Sequence, residues 1–527
     1  MAETTRRRIA ALLVLGVAAM SAGCVTVGPD FETPEAQLDP DWIEGSNSEV
    51  NQSASPDPAW WNVFGDPELN ALIERAYEQN LTLQAAGLRI YEARAILGVV
   101  AGSLYPQSQN VTASAGSRRL SPNAPPVSGL PDDVRSRFGS SRDVYQVGFD
   151  AAWELDFWGR FRRGVEAAEA NLAASVANFD NVLVMLTGEV AATYVTLRTL
   201  EQRLAVARDN VDNQERGLEM AQIRFDGGVT TELDVHQASA LLNATRASVA
   251  GLQAERRRAQ NALAVLLGTT PQQVQDTLSG PGVIPATPDE VVVGMPAELL
   301  RRRPDIVRAE MDAAAQSARI GIAKADMYPA FVLGGTIGLS SGTTSDLFES
   351  QSRYGSSFVA INLPIFNYGR LKNRARAEDA RFEAAVALYR NTVLSAAREV
   401  EDALIGFVKA REQSEHLGKS VEDARAAVRL AEIMYQEGAV DYTRVLTAQL
   451  GLLESQDQYT RSKGSVAFNL VAAYKALGGG WAIRLGNPVI PAETREAMQE
   501  RTGWGDLLED DQTEAPDERG RWRAPDW

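Results

Sequence analysis

The residues able to do chemistry are few in this chain. There is one cysteine, Cys24, and there are two histidines, His236 and His416, far apart and both within helical periodicity. A single cysteine makes no internal disulfide. No spacing of His, Asp, Glu and Cys suits a metal, and no phosphate-binding loop is present. Gly478-Gly479-Gly480 is not followed by Lys-Ser/Thr and reads as a helix C-cap and turn. The chain is therefore not expected to be an enzyme, and no cofactor or metal is expected. Covalent chemistry is expected at Cys24. Arg6, Arg7 and Arg8 form a basic region, and Ile9 to Met20 form an apolar run of about twelve residues, too short to span a bilayer. Ser21-Ala22-Gly23 then precedes the cysteine. Small residues between a secretory core and a lone cysteine mark its thiol for lipid attachment; the alternative is a small buried hydrophobe. Residues 1–23 read as the signal peptide. Residues 24–58, rich in Pro, Asp, Asn and Ser, read as a lipidated extended tether.

The other distinctive stretch is a turn. Helical periodicity runs up to Phe225 and restarts near Leu233, with Gly227-Gly228 between. Glycine takes the left-handed C′ conformation at little cost, so the first helix stops there. Thr230 and Thr231 can cap the next helix, with Asp234 at capping-box spacing. The same pattern recurs around Gly438, and 438 exceeds 228 by 210. Both turns must be placed by long helices. Val176, Phe179, Leu183, Leu186, Val190, Tyr194, Leu197 and Leu204 fall at three- and four-residue steps. Val386, Tyr389, Val393, Ala396, Val400, Leu404 and Phe407 repeat that stripe 210 positions later. Helix from Gly159 to Phe225 would extend roughly 100 Å at 1.5 Å per residue, too long for a compact globule.

Upstream of each long helix the period changes from 3.6 to 2. Between Tyr145 and Phe157 the odd positions are Tyr, Val, Phe, Ala, Trp, Leu and Phe, and the even ones polar or small. Alternation of this length suits a tilted membrane β-strand better than a soluble one. Residues 107–116 form a weaker partner, and the second copy has strands near 331–340 and 355–366. A helix starts at Asp66-Pro67 and runs with one register to about Gly102, and a second opens near Leu299 and ends at Tyr328-Pro329. The division is then 59–271 for the first repeat, 272–293 for a Pro/Gly linker, 294–480 for the second repeat, and 481–527 for an acidic Pro-rich tail expected to be partly disordered.

The chain has 527 residues, 45% of them hydrophobic, so it has ample core, and the repeat makes it one duplicated unit. Net charge is −17, and loss of residues 1–23, with three Arg and one Glu, takes it to −19. That balance argues against nucleic acid as a partner. Four strands cannot close a membrane barrel, and open edges in lipid are forbidden. The chain must therefore oligomerise if the strands lie in lipid; three copies, a homotrimer, would give twelve strands, continued by a hollow tube of long helices.

The residues carry a resemblance to the TolC family of outer-membrane efflux proteins, in its lipid-anchored branch that works with RND-type drug pumps. The matching text is Cys24 to Pro34, Trp60-Trp61 with Phe64-Gly65-Asp66-Pro67, Asn80, Arg302-Arg303-Pro304-Asp305-Ile306, both turns, and Leu477 to Trp481. Val25 after the cysteine resembles lipoproteins sent to the outer membrane. The resemblance implies a mainly α fold with a membrane β part: a trimeric twelve-stranded outer-membrane barrel running into a periplasmic α-helical barrel. It implies that the hairpin tips, with Arg224, Phe225, Gly228 and Leu233 on one and Tyr435, Gly438 and Thr443 on the other, dock a periplasmic adaptor (membrane fusion) protein joined to an inner-membrane RND pump. Cys24 acyl chains would hold the outer-membrane lipid. Related channels often carry an aspartate ring after the second tip; here the aligned position is Thr447, so Asp234, Asp441 and Arg444 would instead pair between subunits to shut the aperture.

The function so implied is passive conduction of small toxic compounds or drugs from adaptor and pump to the outside. A duct for type I protein secretion shares the fold, and the lipid anchor argues for the first. A non-conducting coiled-coil spacer would have no use for the alternating segment 145–157.

Overall fold

The structure, a computed structural model, describes residues 26–508 apart from 37, 53–56, 120, 122, 124, 126, 136–140, 279–281 and 295–302. Cys24 and the tail beyond residue 508 lie outside the described residues, as does Leu299.

After β1 (Val50–Asn51), two helices open the body: α1 (Pro67–Gln79) and α2 (Leu81–Gly102). Asp66 caps α1 by accepting from the Glu68 and Leu69 amides, with Pro67 in the first turn. The expected single helix to Gly102 is broken at Asn80. Its extended backbone ends α1, and its side chain accepts from Leu83 N to start α2. Strands β2 (Ser108–Arg118) and β3 (Arg142–Leu155) follow, then α3 (Arg160–Asp226), α4 (Glu232–Leu266) and the short α5 (Pro271–Thr277). After β4 (Val291–Val292), the second copy comprises α6 (Pro304–Ala325), β5 (Ala330–Ser341), β6 (Arg353–Asn362), α7 (Arg370–Gln436) and α8 (Tyr442–Ala476), and α9 (Ala492–Thr502) is the last α-helix among the described residues. Helices α3 and α7 both have 67 residues and α4 and α8 both have 35, so the 210-residue offset holds at both ends of both pairs. Each long helix starts from a left-handed glycine, Gly159 or Gly369.

All residues of both apolar stripes named above are buried. In the long-helix layer α3 packs between α4 and α8, and α7 packs on α8. Around the upper half of the rods, α2 packs on α3, and α6 packs on both α3 and α7. The main core lies where these short helices wrap the long ones, and Trp60, stacked on Tyr474 at 5.5 Å, sits in it fully buried. Toward the tips burial on α3 shifts to Ala207, Asn210, Gln214 and Ala221. A single wall of helices has little apolar surface to hide there.

The sheet order is β2-β3-β5-β6, antiparallel throughout. Its four strands bracket the expected ones to within a few residues. Phe149 pairs with Val111 and with Ile337, all three well exposed on one apolar face. The next row, Asn110, Asp150 and Thr336, lies on the other face. Among the described residues the outer edges of β2 and β6 have no partner strand.

Three low-period segments differ from expectation. The N-terminal stretch is a strap, not a free tether: Trp42 is buried and donates from Nε1 to Gly294 O at 3.1 Å, while β1 pairs with β4. The linker therefore contains α5 and β4. Up to residue 508 the tail folds back on the core. Val489 and Ile490 are buried, and Arg484 makes two bonds to the buried Asp180, at 2.6 and 3.0 Å. Aromatic anchors and one ion pair, not periodicity, order these stretches.

Candidate functional site

The tips are built by glycine. At the end of α3, Gly228 (φ 70°) donates to Phe225 O and Val229 donates to Arg224 O; at the end of α7, Gly438 (φ 75°) donates to Tyr435 O and Ala439 to Met434 O. These are paired Schellman closures. A Cβ on Gly228 would meet nothing within 4 Å, and one on Gly438 only the Arg224 guanidinium at 3.8 Å. Glycine is needed there for its backbone, and the surface above it is open.

The two tips are joined inside one chain. Tyr435 is 2% exposed; its ring meets Tyr442 edge-on at 5.3 Å, and the Arg224 guanidinium lies 4.7 Å from its centroid. Arg224 also donates to Gln436 O at 2.9 Å. The Tyr435 hydroxyl donates to Asp234 Oδ2 at 3.1 Å, and Thr230 donates to the same oxygen. Burial lifts the Tyr435 phenol above its ordinary value, helped by its bond to the Asp234 carboxylate. Burial pushes the Tyr442 phenol up to about 12. Ala221, Ala238 and Val445 complete this small core.

That arrangement corrects one expectation. Asp234 is buried, and its carboxylate is engaged by Tyr435 and Thr230 of its own chain. It is not held out toward a neighbouring subunit. Thr231, with extended backbone, is the N-cap of α4 but makes no side-chain cap bond; the Asp234 amide donates to Thr231 O at 3.1 Å, and the Asp234 carboxylate is taken by Thr230. Tyr435, placed by the sequence among docking residues, is interior. Asp441, Thr443, Arg444 and Thr447 are exposed on the start of α8, where Thr447 bonds back to Thr443 O at 2.8 Å. Among the described residues neither Asp441 nor Arg444 forms an ion pair. Phe225 and Leu233 are exposed, as are Ile223, Val229 and Met434, which sequence reasoning did not single out. They give the first tip an exposed apolar surface, while at the second Met434 stands beside the exposed Asp441 and Arg444.

At the opposite end of the rods the strap approaches the sheet. Val27 N donates to Trp158 O at 3.1 Å. Arg163 is 3% exposed and bonds Asp30 at 2.8 Å and Glu166 at 2.7 Å. Gly28 (φ 106°) lies so near α6 that a Cβ would come within 2.5 Å of Gly321 Cα. The residues following Cys24 are thus clamped at the strand–helix junction. No local signal marks this clamp: Arg163 and Asp30 are 133 residues apart.

A four-stranded sheet with one apolar and one polar face, continuous with 67-residue rods of roughly 100 Å that end in glycine turns, is the build of a channel protein that shares its barrel among copies. The chain belongs to the outer membrane efflux protein family, whose model matches residues 72–269 and 295–479. It is 33% identical over 430 residues to the pyoverdine export outer membrane protein OpmQ of Pseudomonas putida, covering 81% of this chain and 89% of that one. It is 29% identical to the probable outer membrane lipoprotein SilC of Salmonella typhimurium, over 89% of this chain and 98% of the other. Among solved structures it resembles the outer-membrane channel OprN, with a TM-score of 0.80 and 35% identity, covering 86% of this chain and 99% of that one. The fold is that of TolC-like channels, the location is the outer membrane, and the role is that of an efflux channel. Channels of this family are trimeric and work with adaptor and pump components.

Proposed function

We propose that three copies of this chain close a twelve-stranded barrel in the outer membrane and conduct small molecules delivered by a periplasmic adaptor and an inner-membrane RND pump. The observation that carries the reading is the internal repeat, because it supplies the missing seam. Shifting Ala152 by 210 gives Asn362; Ser108 pairs with the first and Ala330 with the second, so β2 answers β5 with a shift of 222. The in-chain junction of β3 and β5 is then a template for β6 against β2 of the next copy. Phe149 opposite Ile337 becomes Val359 opposite Ala115 of the partner subunit. The same logic covers an orphan aromatic. Trp158 stacks on Tyr328 at 4.6 Å and donates to Pro329 O. Its repeat equivalent, Tyr368, is fully exposed at φ 49°, and Tyr105-Pro106 of the partner subunit, related to Tyr328-Pro329 by 223 (one residue more than the strands), would be its seat.

Cysteines at Val359 and Ala115 should cross-link into covalent trimers on denaturing gels, whereas Val359 with Ala113 should not. Absence of cross-linking in the first pair would remove the seam. The exposed apolar side chains of the first tip, Phe225 and Leu233, and the open surface above Gly228 and Gly438 support adaptor docking. Asp441, Arg444 and Thr447 are free to face the aperture as its gate. Cys24, carried on a clamped strap, would place its acyl chains in the membrane beside the sheet. Drug susceptibility set against polypeptide secretion in a deletion strain separates this role from type I secretion, and lost secretion with unchanged susceptibility would reverse it.

A further inference from the structure

We propose that the lumenal face of the sheet carries a contact site for planar organic cations, formed by Tyr354, Phe358 and Asp150; the site rests on the channel reading above. The polar face of the sheet holds two large rings among Ser, Thr, Gln, Gly and the smaller apolar Ala152, Val332 and Ala360. Both rings lie on glycine. Phe358 is opposite Gly334, where a Cβ would fall 2.3 Å from the ring Cζ. Tyr354 is opposite Gly338 and reaches on to Gly148, where a Cβ would fall 2.9 Å from its hydroxyl. The rings therefore lie along the sheet, and Phe358 stays 53% exposed and Tyr354 40%. The seam register sets Phe358 opposite Gly116 of the partner subunit, a glycine with nothing within 4 Å of its Cβ position in this chain. Directly opposite the ring the next copy thus adds no side chain; the nearest long one in the same register is Arg118 of the partner subunit, opposite Ser356 and diagonal to both rings.

Between the two ring rows runs the row of Asp150. Its carboxylate accepts from Thr336 at 2.5 Å and Thr112 at 3.3 Å, and no cation pairs with it among the described residues. Asp150 on β3 is one row along and two strands across from each ring residue on β6, about 12 Å between backbones, and the rings, lying over Gly334 and Gly338 of β5, close much of that distance. A flat cation resting on either ring therefore has a carboxylate within its own length. Ring faces and a carboxylate both attract such a cation, while a flat anion gains only the ring. A merely structural role, rings filling glycine gaps, would leave passing solutes untouched.

The test is ethidium block of single channels in planar bilayers, with pyrenesulfonate as the flat anion. Ethidium should interrupt the wild-type current; Phe358→Leu and Asp150→Asn should each weaken that block about three- to tenfold, and Phe358→Trp should keep it. Pyrenesulfonate block should not weaken in Asp150→Asn. Ethidium block that is absent in the wild type, or equal in all variants, overturns the site while the conductance stands. No conductance in any form overturns the channel reading instead. Should Phe358→Leu fail to assemble, Asp150→Asn, of the same shape, decides alone.

Discussion

Removing one hydroxyl at the tips should open the channel. Tyr435→Phe keeps the ring against Tyr442 and under the Arg224 guanidinium, and deletes the hydroxyl with its 3.1 Å bond to Asp234 and its contact with Thr230. That bond ties the end of α7 to the start of α4, so hairpins that part to widen the aperture must break it. Hydrogen bonds to a charged group contribute about 1.5–3 kcal/mol. With both partners buried, the full range applies, and the open-to-closed ratio should rise about 10- to 150-fold. Single-channel recording gives that ratio directly. Asp234→Asn should shift it in the same direction, and the double variant should add little, because both changes remove one interaction. An open fraction unchanged in Tyr435→Phe would refute the reasoning: the two tips would then move as one body. Additive effects of the two variants would refute the pairing.

Other consequences are simpler to read. Arg444→Gln should raise single-channel conductance, since it removes an exposed charge beside the aperture; unchanged conductance counts against a gate there. Gly228→Ala should cost roughly 1 kcal/mol from its left-handed backbone alone, because no atom obstructs the new methyl. Gly228→Trp should abolish export while trimers still form, seen by susceptibility assay and native gel. Asp180→Ala removes the carboxylate that takes both bonds from the buried Arg484, and should lower stability by about 3–5 kcal/mol, measured by urea unfolding. The folded tip holds the Tyr442 phenol neutral, so its contribution is complete below pH 10 and fades as pH rises toward about 12. Ultraviolet titration of the protein against Tyr442→Phe should show one phenol ionising late.

The rods were legible because their signal is periodic and doubled. A stripe such as Val176 to Leu204, repeated from Val386, leaves little room for another reading, and two Schellman glycines mark where each rod ends. Strand β3 was legible for the same reason, with alternation sustained from Tyr145 to Leu155. The break at Asn80 was hidden, since helical spacing continues on both sides of one capping side chain. Most opaque were contacts that join distant text. Tyr435 and Asp234 are 201 residues apart, and Arg484 and Asp180 are 304 apart. Each was visible as a residue, but nothing local says that the aspartate at the tip faces inward. The strap was opaque too, because Trp42 and β1 are held by tertiary partners in segments without period.

Equal rods carry a constraint on how such a protein can change size. One residue added to α3 alone would carry its tip about 1.5 Å further and turn it by about 100°. Six tips around a closed ring would then stand at two heights and face two ways. A longer reach toward the inner membrane therefore calls for matched additions, two to each rod-and-return pair and the same in both halves, in steps near seven residues that restore the facing of the stripe.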